Sequence, residues 1–119
     1  MQMSRRTRTT LLAGAIAGVT ALSLSASTFA FDAEAAKVTA RKNSCLRCHS
    51  VDKKKEGPSY HAIAYKYKGQ TDAAEKLVRH ITSGEDRVKL SDGHMEDHKV
   101  AKNADPEHIR NLIEWILAQ

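Results

Sequence analysis

Cys45-Leu46-Arg47-Cys48-His49 is the stretch of sequence that decides how this chain folds. Two thiols at this spacing can each add across one vinyl group of a haem, and the next residue then places an imidazole at the iron. The pattern is therefore typical of covalent attachment of haem c. It predicts Cys45 and Cys48 as the thioether residues and His49 as the proximal iron ligand.

The cysteine content bears on the other uses of a Cys-x-x-Cys pair. The chain has two cysteines, so a zinc site lacks its second pair of thiol ligands. A thioredoxin-type dithiol needs a βαβ context, and the sequence has no strand-like alternation. A Cys45–Cys48 disulfide in a structural or interaction domain stays open as an alternative, although so short a bridge constrains the chain little.

The first thirty residues have the pattern of a secretory signal peptide. Arg5, Arg6 and Arg8 precede an apolar stretch at 11–27, and Thr28-Phe29-Ala30 provides a small-x-small end. We expect removal after Ala30, with cleavage after Ala36 as an alternative, and no stable membrane insertion of the product. An uncleaved membrane anchor is the other interpretation of this stretch, which its threonines and serines weaken. Export through the general secretory route to the periplasm is expected, because haem c is attached outside the cytoplasm.

The expected mature part is one domain, 31–119, of 89 residues, small enough to benefit from a cofactor in its core. Three of the 19 basic residues lie in the leader, so the domain has 16 basic and 14 acidic residues, a net charge of +2. Such an excess does not indicate nucleic-acid binding.

Helical patterns account for most of this domain and predict an all-α fold. The expected helices are a short first helix within 37–48, one at 60–68 ending at Gly69, one at 72–83 capped by Thr71, and a last one after Asp105-Pro106. The third helix has an apolar face of Ala74, Leu77, Val78 and Ile81, and the last has Ile109, Leu112, Ile113, Ile116 and Leu117 with Trp115 beside them.

Taken together, these motifs resemble the small bacterial class I cytochromes c, of the c-551 and c-552 type. The likeness rests on the haem motif, Gly57-Pro58, the 65–70 stretch YKYKGQ and the closing 112–117 stretch, and it covers the domain from Lys37 onward. It implies four to five helices around one haem, with the first and last helices crossing and Trp115 in the core. It also implies that the Pro58 carbonyl accepts a hydrogen bond from the free ring nitrogen of His49.

The distal side departs from that family, whose usual loop reads Trp-Gly-x-x-x-Met-Pro-Pro. Here the candidates for the sixth iron ligand are His94, Met95 and His98. Counting forward from Gly84 favours Met95, whereas counting back from Asp105 favours His98. We favour His98 because no proline stiffens the chain around Met95 and two acidic residues follow it, with Met95 kept as the close alternative.

The predicted function is one-electron transfer by a periplasmic monohaem carrier, not an enzyme, that docks transiently on larger membrane or periplasmic redox proteins and is a monomer. The alternative is a gas-binding or peroxidatic haem protein with an open distal site. A basic run, Lys53 to Lys55, could form a positive rim for docking on acidic partners, with Lys66, Lys68, Lys89 and Lys99 as possible extensions. His61, His80 and His108 are expected at the surface, with His80 able to approach the haem side.

Overall fold

The computed structural model describes residues 30–102 and 104–119. The proposed signal peptide lies almost wholly outside these residues. The elements, in chain order, are helix α1 (Ala33–Lys42), a 3₁₀ turn (Cys45–Arg47), helices α2 (Tyr60–Tyr67) and α3 (Ala73–Thr82), strands β1 (Arg87–Lys89) and β2 (Met95–Asp97), and helix α4 (Pro106–Leu117). The expectation of a mostly helical domain is confirmed.

Helix α4 forms the centre of the core and packs against α1, α2 and α3. The Asp105 carboxylate accepts from the Glu107 N–H, and Pro106 occupies the first turn, where no N–H is needed. The expected apolar stripe is buried against the other helices, and Leu117 is partly buried at its edge. Trp115 is a core residue, as the resemblance implied.

Helix α1 packs directly against α4, which is the expected pairing of the first and last helices. Ala36 and Ala40 are fully buried, and their small side chains allow the two backbones to approach closely. The Asp32 N–H donates to Asn111 Oδ1 at 2.7 Å, and Asn111 Nδ2 donates to the Asp32 carbonyl at 2.8 Å. These reciprocal bonds attach the beginning of α1 to α4.

The bounds expected for the first helix, 37–48, were wrong. Asp32 caps the helix by accepting from the Ala35 N–H, so α1 begins at Ala33, within an alanine-rich stretch that has little apolar periodicity. It ends at Lys42 because Ser44 adopts a left-handed conformation with φ of 59°. The cysteines therefore lie on a separate 3₁₀ turn.

Helices α2 and α3 lie within a residue or two of the predicted bounds. The Ser59 side chain caps α2 by accepting a hydrogen bond from the Ala62 N–H. Helix α3 begins after Asp72, one residue later than the prediction, which had Thr71 as the cap. On α3, Leu77 is buried as expected, but Ala73 is buried in place of Ala74, which is exposed. Among the described residues no helix is both long and apolar enough to cross a bilayer.

A small antiparallel hairpin follows α3 and was not predicted. Strands β1 and β2 pair Arg87 with Asp97 and Lys89 with Met95. The connection turns at Gly93, whose φ of 93° suits glycine. The Glu56 carboxylate contacts the tip of this hairpin. It accepts two hydrogen bonds from Ser91, one from the backbone N–H and one from the hydroxyl, at 2.9 Å each.

Candidate haem site

The Cys-x-x-Cys-His motif wraps tightly around the end of the 3₁₀ turn. The Cys45 carbonyl accepts from the Cys48 N–H at 3.2 Å and from the His49 N–H at 3.0 Å. Both cysteines are half-buried free thiols, and burial raises the pKa of the Cys45 thiol. The turn thus presents two free thiols beside one imidazole, as covalent attachment of a haem requires.

The loop after the motif returns to hold His49 from behind. The Gly57 N–H donates to the Cys48 carbonyl at 2.7 Å, and the Tyr60 N–H donates to the Ser50 carbonyl at 2.9 Å. These bonds bring the Pro58 carbonyl oxygen to 2.7 Å from His49 Nδ1. With Nδ1–H donated to that carbonyl, Nε2 of His49 carries the lone pair that a metal needs.

Gly57 lies against the face of the His49 ring. A Cβ atom at this position would stand 2.5 Å from His49 Cε1 and 2.9 Å from Nδ1. These distances are well inside van der Waals contact, so glycine is required here by close approach.

Aromatic packing supports the proximal imidazole from the core side. The Tyr60 ring stacks on His49 with centroids 5.7 Å apart and planes 18° apart, and it meets Trp115 edge-on at 5.4 Å. The Tyr60 hydroxyl is buried with no hydrogen-bond partner among the described residues, and burial raises its pKa. Through Tyr60, the proximal histidine is braced against helix α4.

On the opposite side, the chain brings His98 to face His49. The His98 N–H donates to the Asp86 carbonyl at 2.8 Å, one step beyond the β1–β2 ladder. The His98 ring centroid lies 6.1 Å from that of His49. Burial lowers the pKa of His98, and the neighbouring histidines His80 and His49 add to the effect, so its imidazole is neutral at pH 7.

The other two distal candidates lie on the exposed part of the hairpin. Met95 is 45% exposed on β2. His94 is exposed beside it, with Nδ1 2.5 Å from Asp92 Oδ1. Hydrogen bonding to Asp92 raises the pKa of His94, which favours the protonated, non-ligating form.

These residues fit a haem between His49 and His98. A metal–imidazole bond is about 2.0–2.1 Å and the ring centroid lies about 1 Å further, so two imidazoles on one metal have centroids about 6.2 Å apart. The observed 6.1 Å matches this separation. The Nδ1 atom of His98 is buried and has no hydrogen-bond partner within the described part of the chain, so this nitrogen lacks the outer contact that the Pro58 carbonyl gives His49.

A cavity of about 690 Å³ opens beside Cys48. Its polar rim is mostly basic, and the charged residues on it are Lys42, Arg47, Lys99, Lys102, Glu56 and Glu96. Lys54, Lys55 and Lys89 line a second cavity, which shares Glu56 and Leu90 with the first, and Lys53 is exposed. Of the lysines considered from the sequence, only Lys99 lies on the rim beside Cys48.

The remaining histidines were all expected at the surface, and His80 is the one that is not fully exposed. His61 and His108 are exposed. His80 is half-buried and its ring centroid is 4.1 Å from that of His98. The contact between His80 and His98, and the part of Asp86 in it, had no signal in the sequence, because it depends on how the hairpin folds back on α3.

Comparison with known proteins identifies the family of this chain. The family model for cytochrome c matches residues 33–119. The class 1 cytochrome MtoD from Sideroxydans lithotrophicus ES-1 is 53% identical with a TM-score of 0.71, over 75% of this chain and 97% of that structure. Cytochrome c-551 from Pseudomonas denitrificans is 36% identical over 65% of this chain and 88% of its own, and cytochrome c2 from Rhodocyclus tenuis is 35% identical over 66% and 86%.

The chain belongs to the cytochrome c family. It carries one covalently bound haem c and is an electron-transfer protein rather than an enzyme. The predictions of fold, cofactor and general function are thereby confirmed, and the disulfide alternative is not retained.

Proposed function

We propose that this protein is a periplasmic one-electron carrier whose haem is attached at Cys45 and Cys48 and ligated by His49 and His98. The observation that carries the proposal is the pair of facing imidazoles 6.1 Å apart. The Pro58 carbonyl accepts a hydrogen bond from Nδ1–H of His49, and this bond sets the orientation of the ring. Met95 remains the alternative ligand, and on this proposal it stays at the surface.

The haem supplies the one-electron chemistry of iron between its ferric and ferrous states. His49 and His98 would hold the iron, burial lowers the pKa of His98, and Tyr60, itself packed on Trp115, covers the His49 ring. A second imidazole in place of a thioether lowers the reduction potential, because it donates more strongly to ferric iron. With His49 and His98 both bound, no position would remain for a gas or peroxide, which separates this proposal from the gas-binding alternative.

Carbon monoxide binding to the reduced holoprotein tests the ligand assignment at neutral pH. We expect the wild type to resist carbon monoxide, His98→Ala to bind it readily, and the matched variant Met95→Leu to behave as the wild type. Ready binding by Met95→Leu with none by His98→Ala would overturn the assignment. Ready binding by the wild type would favour the alternative of an open distal site.

Docking on redox partners is proposed to use the basic rim beside Cys48, formed by Lys42, Arg47, Lys99 and Lys102. A positive rim around the cofactor edge would steer acidic partners and accelerate encounter. Ferricyanide, an anionic oxidant, should therefore react faster than expected for a neutral surface, and salt should slow it. An unchanged rate between about 10 and 200 mM salt, over which the Debye length shortens several-fold, would contradict this surface.

Export is proposed with cleavage after Ala30. Helix α1 begins at Ala33 and buries Ala36 completely, so cleavage after Ala36 would cut into the helix that packs against α4. The intact mass of the protein purified from the periplasmic fraction should correspond to Phe31–Gln119 plus one haem. Recovery of the protein with its leader from the membrane fraction would contradict export as a free carrier.

A further inference from the structure

His80, near the end of α3, lies directly against the proposed distal ligand. The ring centroids of His80 and His98 are 4.1 Å apart, with the planes inclined by 43°. About a third of the His80 side chain is exposed, so the ring lies partly under the protein surface. At this separation each imidazole limits the rotation of the other.

Asp86 connects to both histidines. Its carboxylate Oδ2 lies 2.5 Å from His80 Nδ1, and its backbone carbonyl accepts from the His98 N–H at 2.8 Å. The carboxylate accepts a hydrogen bond from Nδ1–H of His80, and this bond fixes the tautomer and the plane of that ring. One residue therefore anchors the ring of His80 and the backbone of His98.

The chain after His98 is also attached to α3. The Ala101 N–H donates to the Ile81 carbonyl at 2.8 Å, one residue along the helix from His80. No proline lies between Pro58 and Pro106, so the backbone around His98 is not stiffened by residue type. Contacts with α3 and with Asp86 are what hold this segment.

The ring of His98 lacks the outer hydrogen bond that the ring of His49 has at Nδ1. Its Nδ1 atom is buried without a partner among the described residues, whereas His49 has the Pro58 carbonyl. Metal-ligating histidines almost always have such an outer contact to set the ring plane. For His98, the neighbouring ring of His80 lies where it can set the ring plane instead of a hydrogen bond.

We propose that His80 is a positioning residue for His98, and that its Asp86-anchored ring keeps the His98 imidazole aimed at His49. The inference rests on the proposed ligation by His98. Its mechanism is packing of one ring on another, so the shape of the His80 side chain matters more than its charge.

Three variants of the holoprotein test this. His80→Ala removes the ring, His80→Phe keeps a ring of similar width, and His61→Ala is a matched control, since His61 also contacts an aspartate, Asp52, but on α2. We expect His80→Ala to bind carbon monoxide at least about tenfold faster when reduced, the effect typical of losing an outer partner of a metal ligand. His80→Phe keeps a ring but loses the hydrogen bond to Asp86, so its rate should lie between those of the wild type and His80→Ala, and His61→Ala should not change the rate.

The electron paramagnetic resonance spectrum of the oxidised proteins gives a second readout that a merely structural role would leave unchanged. His80→Ala should broaden and shift the low-spin signal, because the His98 plane is no longer fixed, while His80→Phe should broaden it less, because a ring still packs on His98. If His80→Ala does not accumulate with haem, Asp86→Ala, which keeps the backbone carbonyl, should show a smaller change in the same direction.

Carbon monoxide binding and spectra that are unchanged in His80→Ala would overturn the inference. If His80→Ala does not accumulate with haem, the same unchanged result in Asp86→Ala would overturn it. Failure of the ligand assignment is distinguishable from this result. In that case the wild type itself would lack bis-histidine spectra, and His98→Ala would leave carbon monoxide binding unchanged.

Discussion

Replacing Gly57 by alanine inserts a methyl group into the space occupied by the proximal histidine. The new Cβ atom would stand 2.5 Å from His49 Cε1, and an ordinary contact of about 3.4 Å requires a displacement of about 0.9 Å. The ring cannot make that movement freely, since its Nδ1 atom is 2.7 Å from the Pro58 carbonyl and Tyr60 stacks on it.

The expected cost follows from two effects. Overpacking costs about 1–3 kcal/mol, and a strained or lost hydrogen bond to Pro58 adds about 0.5–1.5 kcal/mol. A loss of about 2–4 kcal/mol corresponds to a melting temperature lower by roughly 10–25 °C in a domain of this size. The backbone at Gly57 is not in the left-handed region, so conformational strain does not contribute.

Thermal unfolding of the holoprotein, followed by far-ultraviolet circular dichroism, measures this effect. The control is Gly69→Ala, where a Cβ atom meets nothing within 4 Å but the φ of 78° strains the backbone by about 1 kcal/mol. We also expect Gly57→Ala, and not Gly69→Ala, to alter the Soret band. A Gly57→Ala variant as stable as Gly69→Ala and with a wild-type spectrum would refute the reasoning.

Three further changes follow from burial and hydrogen bonding. Leu112→Ala opens a cavity at a position that is 1% exposed and should cost about 2–5 kcal/mol in urea unfolding, whereas Val38→Ala, at a site 38% exposed, should cost under about 1 kcal/mol. Tyr60→Phe removes a buried hydroxyl that has no partner in the described structure, so it should change stability by under about 1 kcal/mol, and a larger loss would reveal a partner for that hydroxyl in the holoprotein. Hydrogen bonds from Ser91 lower the pKa of Glu56, so this contact stabilises the fold fully above the usual pKa of 4.5, and that stabilisation is lost as the pH falls through the lowered pKa of the folded state. Glu56→Gln should therefore flatten the acid side of the stability profile, and an identical profile would contradict the contact.

The parts of the fold that could be predicted are those whose signals are local. Asp105-Pro106 and the apolar stripe after it define α4 within one residue, because a cap, a first-turn proline and a 3.6-residue period coincide there. The start of α1 was misplaced, since Ala33 to Ala36 form helix by propensity and show no periodic apolar face. Three-residue strands are too short for alternation to be visible, although Asp92-Gly93 was a usable hairpin signal.

The two halves of the candidate site also differ in how local their sequence signals are. The proximal half depends on the five residues of the motif and a loop that returns within nine residues to Pro58. The distal half depends on how the hairpin pairs, which decides whether Met95 or His98 faces inward. The pairing Lys89–Met95 puts the methionine on an exposed strand and leaves His98 just past the ladder, beside His80. Such a tertiary arrangement leaves no local trace in the sequence.

Low-temperature magnetic circular dichroism of the oxidised holoprotein tests the central claim most directly, because the near-infrared charge-transfer band distinguishes the axial ligands of a low-spin haem. Ligation by His49 and His98 predicts the band of a bis-histidine haem, lost in His98→Ala and retained in Met95→Leu. A band typical of histidine–methionine ligation, abolished by Met95→Leu, would contradict the account.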